Sequence, residues 1–401
     1  MSAVPIFQTN AATAAQLRFS LELLQLAVVT DTSKNVSISP LGILAALALV
    51  LHGADGATKT ALADVIFGIK ANTERAEAAF AGWIRQLITI EDEHFEEADA
   101  ILKLATSLWA SQPSILAPEF VSHARNMYDA KAATLDFTDP TAATTVNDWV
   151  RQQTRGRINS IVSPDSLARV LPPTLLLLNA VYFRANWASE FDVENTRPGP
   201  FRLANGDTQE VQLMHQVSTD IRYLAGEDWQ AVALPYVSYR RSFSMLIFHP
   251  NQPTGLPSFL ASLNATNWQS WHTAFRNAPR TEVDITLPRF LVEWEADVAP
   301  ALSQLGLEPV FTPGADFSSL GFQDEEGGGF IESVLHKAIL EVDEQGTEAA
   351  AVTAIMWMAG GGSEPEKLSR VAVKVDSPFL YAIVDEEDGM LLFAGTVNSL
   401  G

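Results

Sequence analysis

The chain has 401 residues, 47% of them hydrophobic and 18% charged, enough to bury a substantial core in one large domain or two ordinary ones. Its 26 Lys and Arg stand against 48 Asp and Glu, a net charge of −22 that repels phosphate and anionic membrane surfaces and argues against nucleic acid as a partner. With no cysteine, disulfides, thiolate metal sites and a cysteine nucleophile are excluded, and the chain is indifferent to its redox compartment.

The N-terminal "MSAVPIFQTNAATAAQLRFSLELLQLAVV" lacks the basic start and unbroken apolar core of a signal peptide. Leu17, Phe19, Leu21, Leu23, Leu24 and Leu26, separated by polar Arg18, Ser20, Glu22 and Gln25, predict an amphipathic helix. No run reaches the ~18 apolar residues that span a bilayer. The expected location is cytoplasmic, or extracellular if a leader has been trimmed away, with no membrane partner. "SPLGILAALALVLHGA" predicts an apolar helix begun at Ser39-Pro40, a favoured cap followed by a favoured first residue, and stopped near Gly53. "EDEHFEEADA" reads as a solvated acidic loop, and "DPTAATTVNDWVRQQTRGRI" as a second helix with Val146, Trp149 and Val150 on one face. "TLLLLNAVYFRANW", "SFSMLIFHP", "EVDITLPRF" and "GMLLFAGTV" read as strands, several apolar on both faces and therefore interior. Large sheets with helices added irregularly predict an α+β architecture.

No repeat and no linker-like shift in composition divides the chain before "DEQGTEAAAVTAIMWMAGGGSEPEKLSR", Asp343 to Arg370. This stretch lies between strand-like "SVLHKAILEV" and "RVAVKVDSPFLYAIV" and fits neither helix nor strand well. "TEAAA" is one helical turn, which cannot persist alone, and "AGGGS" is highly permissive backbone. A connection of that length is either a plain linker or functional.

Chemical motifs are sparse. The histidines are isolated, none in the His-Glu-x-x-His pattern of metal hydrolases, and there is no nucleophile elbow and no phosphate-binding glycine loop. An enzyme is not expected, although His215 and His249 leave open a triad assembled only by folding. The sequons at Asn35 and Asn264 carry no weight without secretion.

Several stretches carry a more specific signal. "NVSISPLGILAALALVLHGADGATK", "NDWVRQQTRGRI", "LNAVYFRANWASEFD", "LPRF", "GADFSSL", "VLHKAILEVDEQGTEAAAVTAI" and "SPFLYAIVDEEDGMLLFAGTV", in this order and at these spacings, resemble the serpin family along essentially the whole chain. The chain is identified as a member of that family, of inhibitory type and similar to prokaryotic intracellular members. The resemblance implies one serpin domain over 1–401, with about nine helices, three β-sheets and an exposed reactive-centre loop over 344–370. It also implies irreversible inhibition of serine proteases, with cysteine proteases a second target class. The target cuts the loop as a substrate, is held as a covalent 1:1 acyl complex with the monomeric inhibitor, and is displaced as the cut loop enters the central sheet.

The residues supply a physical reason. As a strand the loop would alternate, setting Thr347, Ala349, Ala351, Thr353, Ile355 and Trp357 on one face, which by resemblance is the inward one. No charge or proline stands among those positions to obstruct burial. About 15 inserted residues at roughly 3.3 Å each would carry the protease some 50 Å. A dozen or so new ladder hydrogen bonds, plus burial of Ile355 and Trp357, contribute on the order of 10 to 15 kcal/mol, comparable with the stability of an ordinary domain.

By resemblance Glu344, Gly346, Thr347, Glu348, Ala349, Ala350, Ala351 and Thr353 form the loop hinge. Glu344 and Arg289 match an ion pair where the loop enters the sheet, Trp187 a tryptophan near that point, and Ser39, Asn179 and His336 a polar cluster beneath the sheet. Without the resemblance, Glu344 and Arg289 are plain surface charges and His336 a satisfied core histidine. Two departures stand out. Gly42 replaces a serine of the polar cluster, and "GGGSEPEKLSR" lengthens the segment after the cut. Counting from Glu344 places the reactive bond in Met358, Ala359, Gly360 and Gly361, with Met358, Ala359 or Gly360 on its N-terminal side. None carries the cation that a trypsin-like pocket reads, so elastase-, chymotrypsin- or subtilisin-like targets are expected. The helix region "TERAEAAFAGWIRQLITIEDEHFEEADA" has only Arg75 and Arg85 among many acids, so no polyanionic or other cofactor is expected. A non-inhibitory serpin, serving as chaperone, carrier or storage protein, is the alternative within the fold, and a hydrolase with a hidden triad the alternative outside it.

Overall fold

The computed structural model describes residues 10–29, 34–68, 73–88, 101–167, 174–238, 241–321, 329–347 and 368–400. The first elements are α1 (Asn10–Val29), β1 (Val36–Ile38), α2 (Pro40–Leu51), α3 (Gly56–Phe67) and α4 (Thr73–Ile88). They are followed by β2 (Ile101–Ser111), α5 (Pro118–Tyr128), β3 (Lys131–Leu135), α6 (Ala142–Gln153), α7 (Pro164–Leu167) and β4 (Thr174–Asn186). The middle of the chain holds β5 (Arg197–Arg202), β6 (Thr208–Ser218), β7 (Arg222–Ala225), β8 (Trp229–Pro235), β9 (Phe243–Pro250), α8 (Leu256–Ala261) and α9 (Ala265–Arg276). The last third holds β10 (Glu282–Pro288), β11 (Phe290–Asp297), α10 (Ala299–Leu302), β12 (Phe330–Val342), β13 (Gly346–Thr347), β14 (Arg370–Lys374), β15 (Phe379–Asp385) and β16 (Leu391–Val397).

Three sheets result, ordered β11-β12-β13-β4-β2-β3, β1-β16-β15-β9-β8-β7 and β14-β10-β6-β5. Among the described residues there are ten α-helical segments, in line with the expected nine or so, two of them, α7 and α10, of only four residues. No described helix is long and apolar enough to cross a membrane.

β4 shows why a strand apolar on both faces must be interior. Leu175, Leu177, Val181, Phe183 and Ala185 enter the main core, which includes the wholly buried α2, whereas Leu176, Leu178 and Ala180 enter a second core beneath α6. The α6 side of that second core is Val146 and Val150, fully buried, with Trp149 half-buried edge-on to Trp109. α2 begins as its residues dictate: Ser39 caps it, the Oγ accepting from the Gly42 N–H at 3.1 Å, and Pro40 follows.

Elsewhere tertiary structure modifies the sequence reading. "RVAVKVDSPFLYAIV" is two strands in different sheets, β14 and β15. "EVDITLPRF" ends at Pro288, and Phe290 opens β11 in another sheet. α1 is covered on more sides than an amphipathic pattern implies: Ser20 is buried, its hydroxyl donating to the Gln16 carbonyl at 2.7 Å. The acidic "EDEHFEEADA" lies outside the described residues.

Candidate functional site

The central sheet is closed at one end and wedged open at the other. β4 and β12 run parallel and pair directly from Phe330↔Thr174 to Ile339↔Tyr182. Beyond that point the chain turns back at Asp343–Gln345, and β13 slips between them, antiparallel to both, with Thr347 opposite Val342 on one side and Ala185 on the other. Thr347 is fully buried. Gly346 makes the entry possible, because a Cβ there would collide with the Ala185 carbonyl oxygen and the backbone of Asn186.

Polar contacts hold the turn. The Asp343 carboxylate accepts from the Gln345 N–H at 2.9 Å and the Gly346 N–H at 3.2 Å. Trp187, buried and stacked on Tyr236 with ring centroids 4.6 Å apart, donates its indole N–H to the Asp343 carbonyl at 2.9 Å and its backbone N–H to the Gln345 carbonyl at 2.8 Å. The Tyr236 and Thr347 hydroxyls lie 2.6 Å apart. Glu344, its side chain 4% exposed, faces Arg289 at 2.6 Å from Nη2 and 2.8 Å from Nε, and accepts from the Thr196 hydroxyl. Burial pushes the Glu344 carboxyl up, but the hydrogen bonds from Arg289 and Thr196 and the Arg289 charge outweigh it, leaving the carboxyl below its ordinary value.

At the closed end, one row crosses three strands: His336 of β12 lies opposite Asn179 of β4, itself opposite Thr106 of β2. The Ser39 N–H donates to His336 Nε2 at 3.0 Å, so the proton sits on Nδ1, which donates to Asn179 Oδ1 at 2.9 Å. Asn179 donates in turn to Thr106 Oγ1 at 3.1 Å, and the Ser39 hydroxyl donates to the Leu392 carbonyl at 2.6 Å. Gly42 is required by this packing, since a Cβ would lie 2.5 Å from Asn179 Oδ1 and 2.6 Å from Val181 Cγ2. Here Asn179 takes the space that a serine side chain would enter. A strand passing between β4 and β12 must break the His336–Asn179 bond, because that bond joins side chains of the two strands across the seam.

The structure thus groups Glu344, Arg289, Trp187, Gly346 and Thr347 at the open end, and Ser39, Asn179 and His336 at the closed end. Glu348, Ala349, Ala350, Ala351, Thr353, Met358, Ala359, Gly360 and Gly361 lie outside the described residues. Tyr236, Thr196, Asp343 and Thr106 were missed by sequence reasoning; no motif marks them, and only the fold brings them to the seam. His215 and His249 do not meet. His215 Nε2 is 2.9 Å from Asp284 Oδ1, and His249 Nε2 is 2.8 Å from the buried Ser377 hydroxyl. A substrate has no access to Ser377, which is fully buried.

A parallel pair of strands wedged open by the start of an adjoining loop, above an intact polar lock, defines the serpin class. The family model for Serpin (serine protease inhibitor) matches residues 14–400, and the chain belongs to the serpin family. It is 32% identical to Serpin-Z3 of Arabidopsis thaliana, over 92% of this chain and 93% of that protein. It is 31% identical to the leukocyte elastase inhibitor of Sus scrofa, over 96% and 98%. The crystal structure of the thermophilic serpin tengpin in its native state superposes with a TM-score of 0.80 at 28% identity, covering 100% of this chain and 96% of that one.

Burial lowers the His336 imidazole from its ordinary 6.5 to about 3. The unfolded chain therefore takes up a proton below pH 6.5 that the native state refuses until about pH 3, so the stability contributed by neutral His336 is complete above 6.5 and is lost as pH falls through this window. Between pH 7.5 and 5.5 the wild type should lose about 1.4 kcal/mol more unfolding free energy than His336→Gln, as read from urea unfolding. Equal losses in the two proteins would show that His336 is not held neutral.

Proposed function

We propose that this protein is an irreversible suicide-substrate inhibitor of serine proteases and acts as a monomer. The observation that carries this reading is the register of β13. If the chain beyond Thr347 continued between β4 and β12 in that register, Thr353 would arrive opposite both Asn179 and His336, since each lies six residues from the position paired with Thr347. Residues directly opposite in a sheet share a face, so the Thr353 hydroxyl would enter the polar row. There it could accept from His336 Nδ1 and donate to Asn179 Oδ1, replacing the bond that insertion breaks. Ala349 and Ala351 would pass through on the same face with little volume to accommodate, and Ile355 would land among Leu177 and Val334, both fully buried.

The reaction follows from that readiness. The serine hydroxyl of a target attacks the carbonyl at Met358, Ala359 or Gly360, the following residue leaves as a new amino terminus, and the protease remains as an ester on the shortened loop. Insertion then moves the ester away before water hydrolyses it. Arg370 is a poor alternative cut: as the first residue of β14 it already pairs with Glu282 of β10, and its guanidinium lies 2.7 Å from Asp284 and 3.6 Å from Glu282. The relative from Sus scrofa is named for inhibiting leukocyte elastase, and the small or apolar residues here suit elastase-, chymotrypsin- or subtilisin-like enzymes. Cysteine proteases form the same kind of acyl intermediate and are a second target class.

Mixing the protein with such proteases should give an SDS-resistant 1:1 complex whose C-terminal fragment begins at Ala359, Gly360 or Gly361. Cleavage without a complex would favour a non-inhibitory serpin, and a fragment beginning at Val371 would overturn the assigned bond. Thr353→Arg would carry an unpaired charge into the buried polar row only on insertion, costing several kcal/mol, and should convert the inhibitor into a substrate that is cut and released. Trapping at unchanged stoichiometry by this variant would refute insertion as the mechanism.

A further inference from the structure

Well away from the seam, a second cluster of polar side chains converges. His52 caps the C-terminus of α2, Glu77 comes from α4 and His123 from α5. Glu77 Oε1 lies 3.2 Å from His52 Nδ1 and 2.9 Å from His123 Nε2, and the three ligand atoms are within 4.8 Å of one another. Proximity is not matched by hydrogen-bond direction: Glu77 Oε1 and His123 Nε2 are buried, and neither has an aligned partner among the described residues. The same holds for the hydroxyl of buried Tyr128, whose ring centroid is 5.9 Å from that of His123. Glu77 is only 4% exposed, a position where a carboxylate is stable only with a positive partner.

We propose that His52, Glu77 and His123 form a binding site for a divalent transition-metal cation of the zinc type, with its fourth position open to solvent beside His52. Two imidazole nitrogens and one carboxylate oxygen make a donor set that suits zinc, copper or nickel better than magnesium or calcium, which prefer oxygen alone. Metal–ligand bonds of about 2.0 to 2.1 Å meeting at angles between a right angle and the tetrahedral value set ligand atoms about 2.9 to 3.4 Å apart, and both separations from Glu77 fall in that range. One adjustment is needed. The His52 and His123 rings are stacked, their centroids 3.4 Å apart and their planes 1° from parallel, and lone pairs lying in parallel planes do not meet at one point. His52, with its side chain 41% exposed, has room to swing out of the stack, whereas Glu77 and the mostly covered His123 are held by their helices. A bound ion would pin three helices together, one of them the helix that Ser39 caps in the polar lock.

Titration calorimetry of the full chain, stripped with EDTA and then given Zn2+, tests this. One ion per chain with a Kd of about 10 μM or tighter is expected, and Co2+ in its place should show the visible absorption of a four-coordinate nitrogen–oxygen site. His52→Ala, altering an exposed side chain, should fold normally and weaken binding at least tenfold; Glu77→Gln should abolish it, and His215→Ala should leave it unchanged. Absence of saturable Zn2+ binding up to about 100 μM, or binding that neither His52→Ala nor Glu77→Gln weakens, would overturn the proposal.

Discussion

The direct pairing of β4 with β12 is the constraint on which the rest of the structure depends. Two parallel strands in the middle of a sheet normally hold each other along their length; these are joined only to Ile339 and Tyr182, and beyond that a fragment of another strand has taken the space. The fragment is antiparallel to both neighbours. Antiparallel ladders are slightly more stable per residue than parallel ones, so every further residue that enters would exchange a weaker pairing for two stronger ones. In the uncut chain Arg370 is already anchored in β14, the edge strand of a different sheet, which would limit how far that exchange could run.

The two polar groups along the seam do different work. At the open end, Trp187, Tyr236, Arg289 and Thr196 fasten the turn at Asp343–Gln345 mostly through backbone carbonyls and one buried carboxylate, which fixes where a strand starts without deciding how far it runs. At the closed end, His336 is bound on both ring nitrogens, and parting the strands leaves two buried polar groups unsatisfied unless an incoming hydroxyl replaces the loss. On the proposed insertion, the first group would set register and the second a threshold.

Much of this was legible in the residues. The Ser39-Pro40 start of α2 and the two-faced apolar run of β4 could be read directly, because capping chemistry and strand alternation are local. The family resemblance supplied the loop and most of the residues that the structure brings to the seam. Three features were out of reach, each for a physical reason. Tyr236 and Thr196 meet Thr347 and Glu344 across more than a hundred residues of chain, and nothing local in "LPYVSY" or "ENTRPG" signals it. The division of "RVAVKVDSPFLYAIV" between two sheets depends on which neighbours each half finds, not on its own propensity. Gly42, standing where the family has a serine, leaves the space into which Asn179 fits, and that depends on a strand far along the chain.

The central claim is that the sheet is incomplete and that the chain beyond Thr347 is the strand it lacks. Scanning calorimetry of the intact protein beside protein cut once between Met358 and Gly361 tests this most directly, since cutting frees the loop without removing a residue. The account predicts a melting temperature tens of degrees higher after the cut, because the added strand contributes stability comparable with a whole domain. An unchanged or lower melting temperature in the cut protein would contradict it.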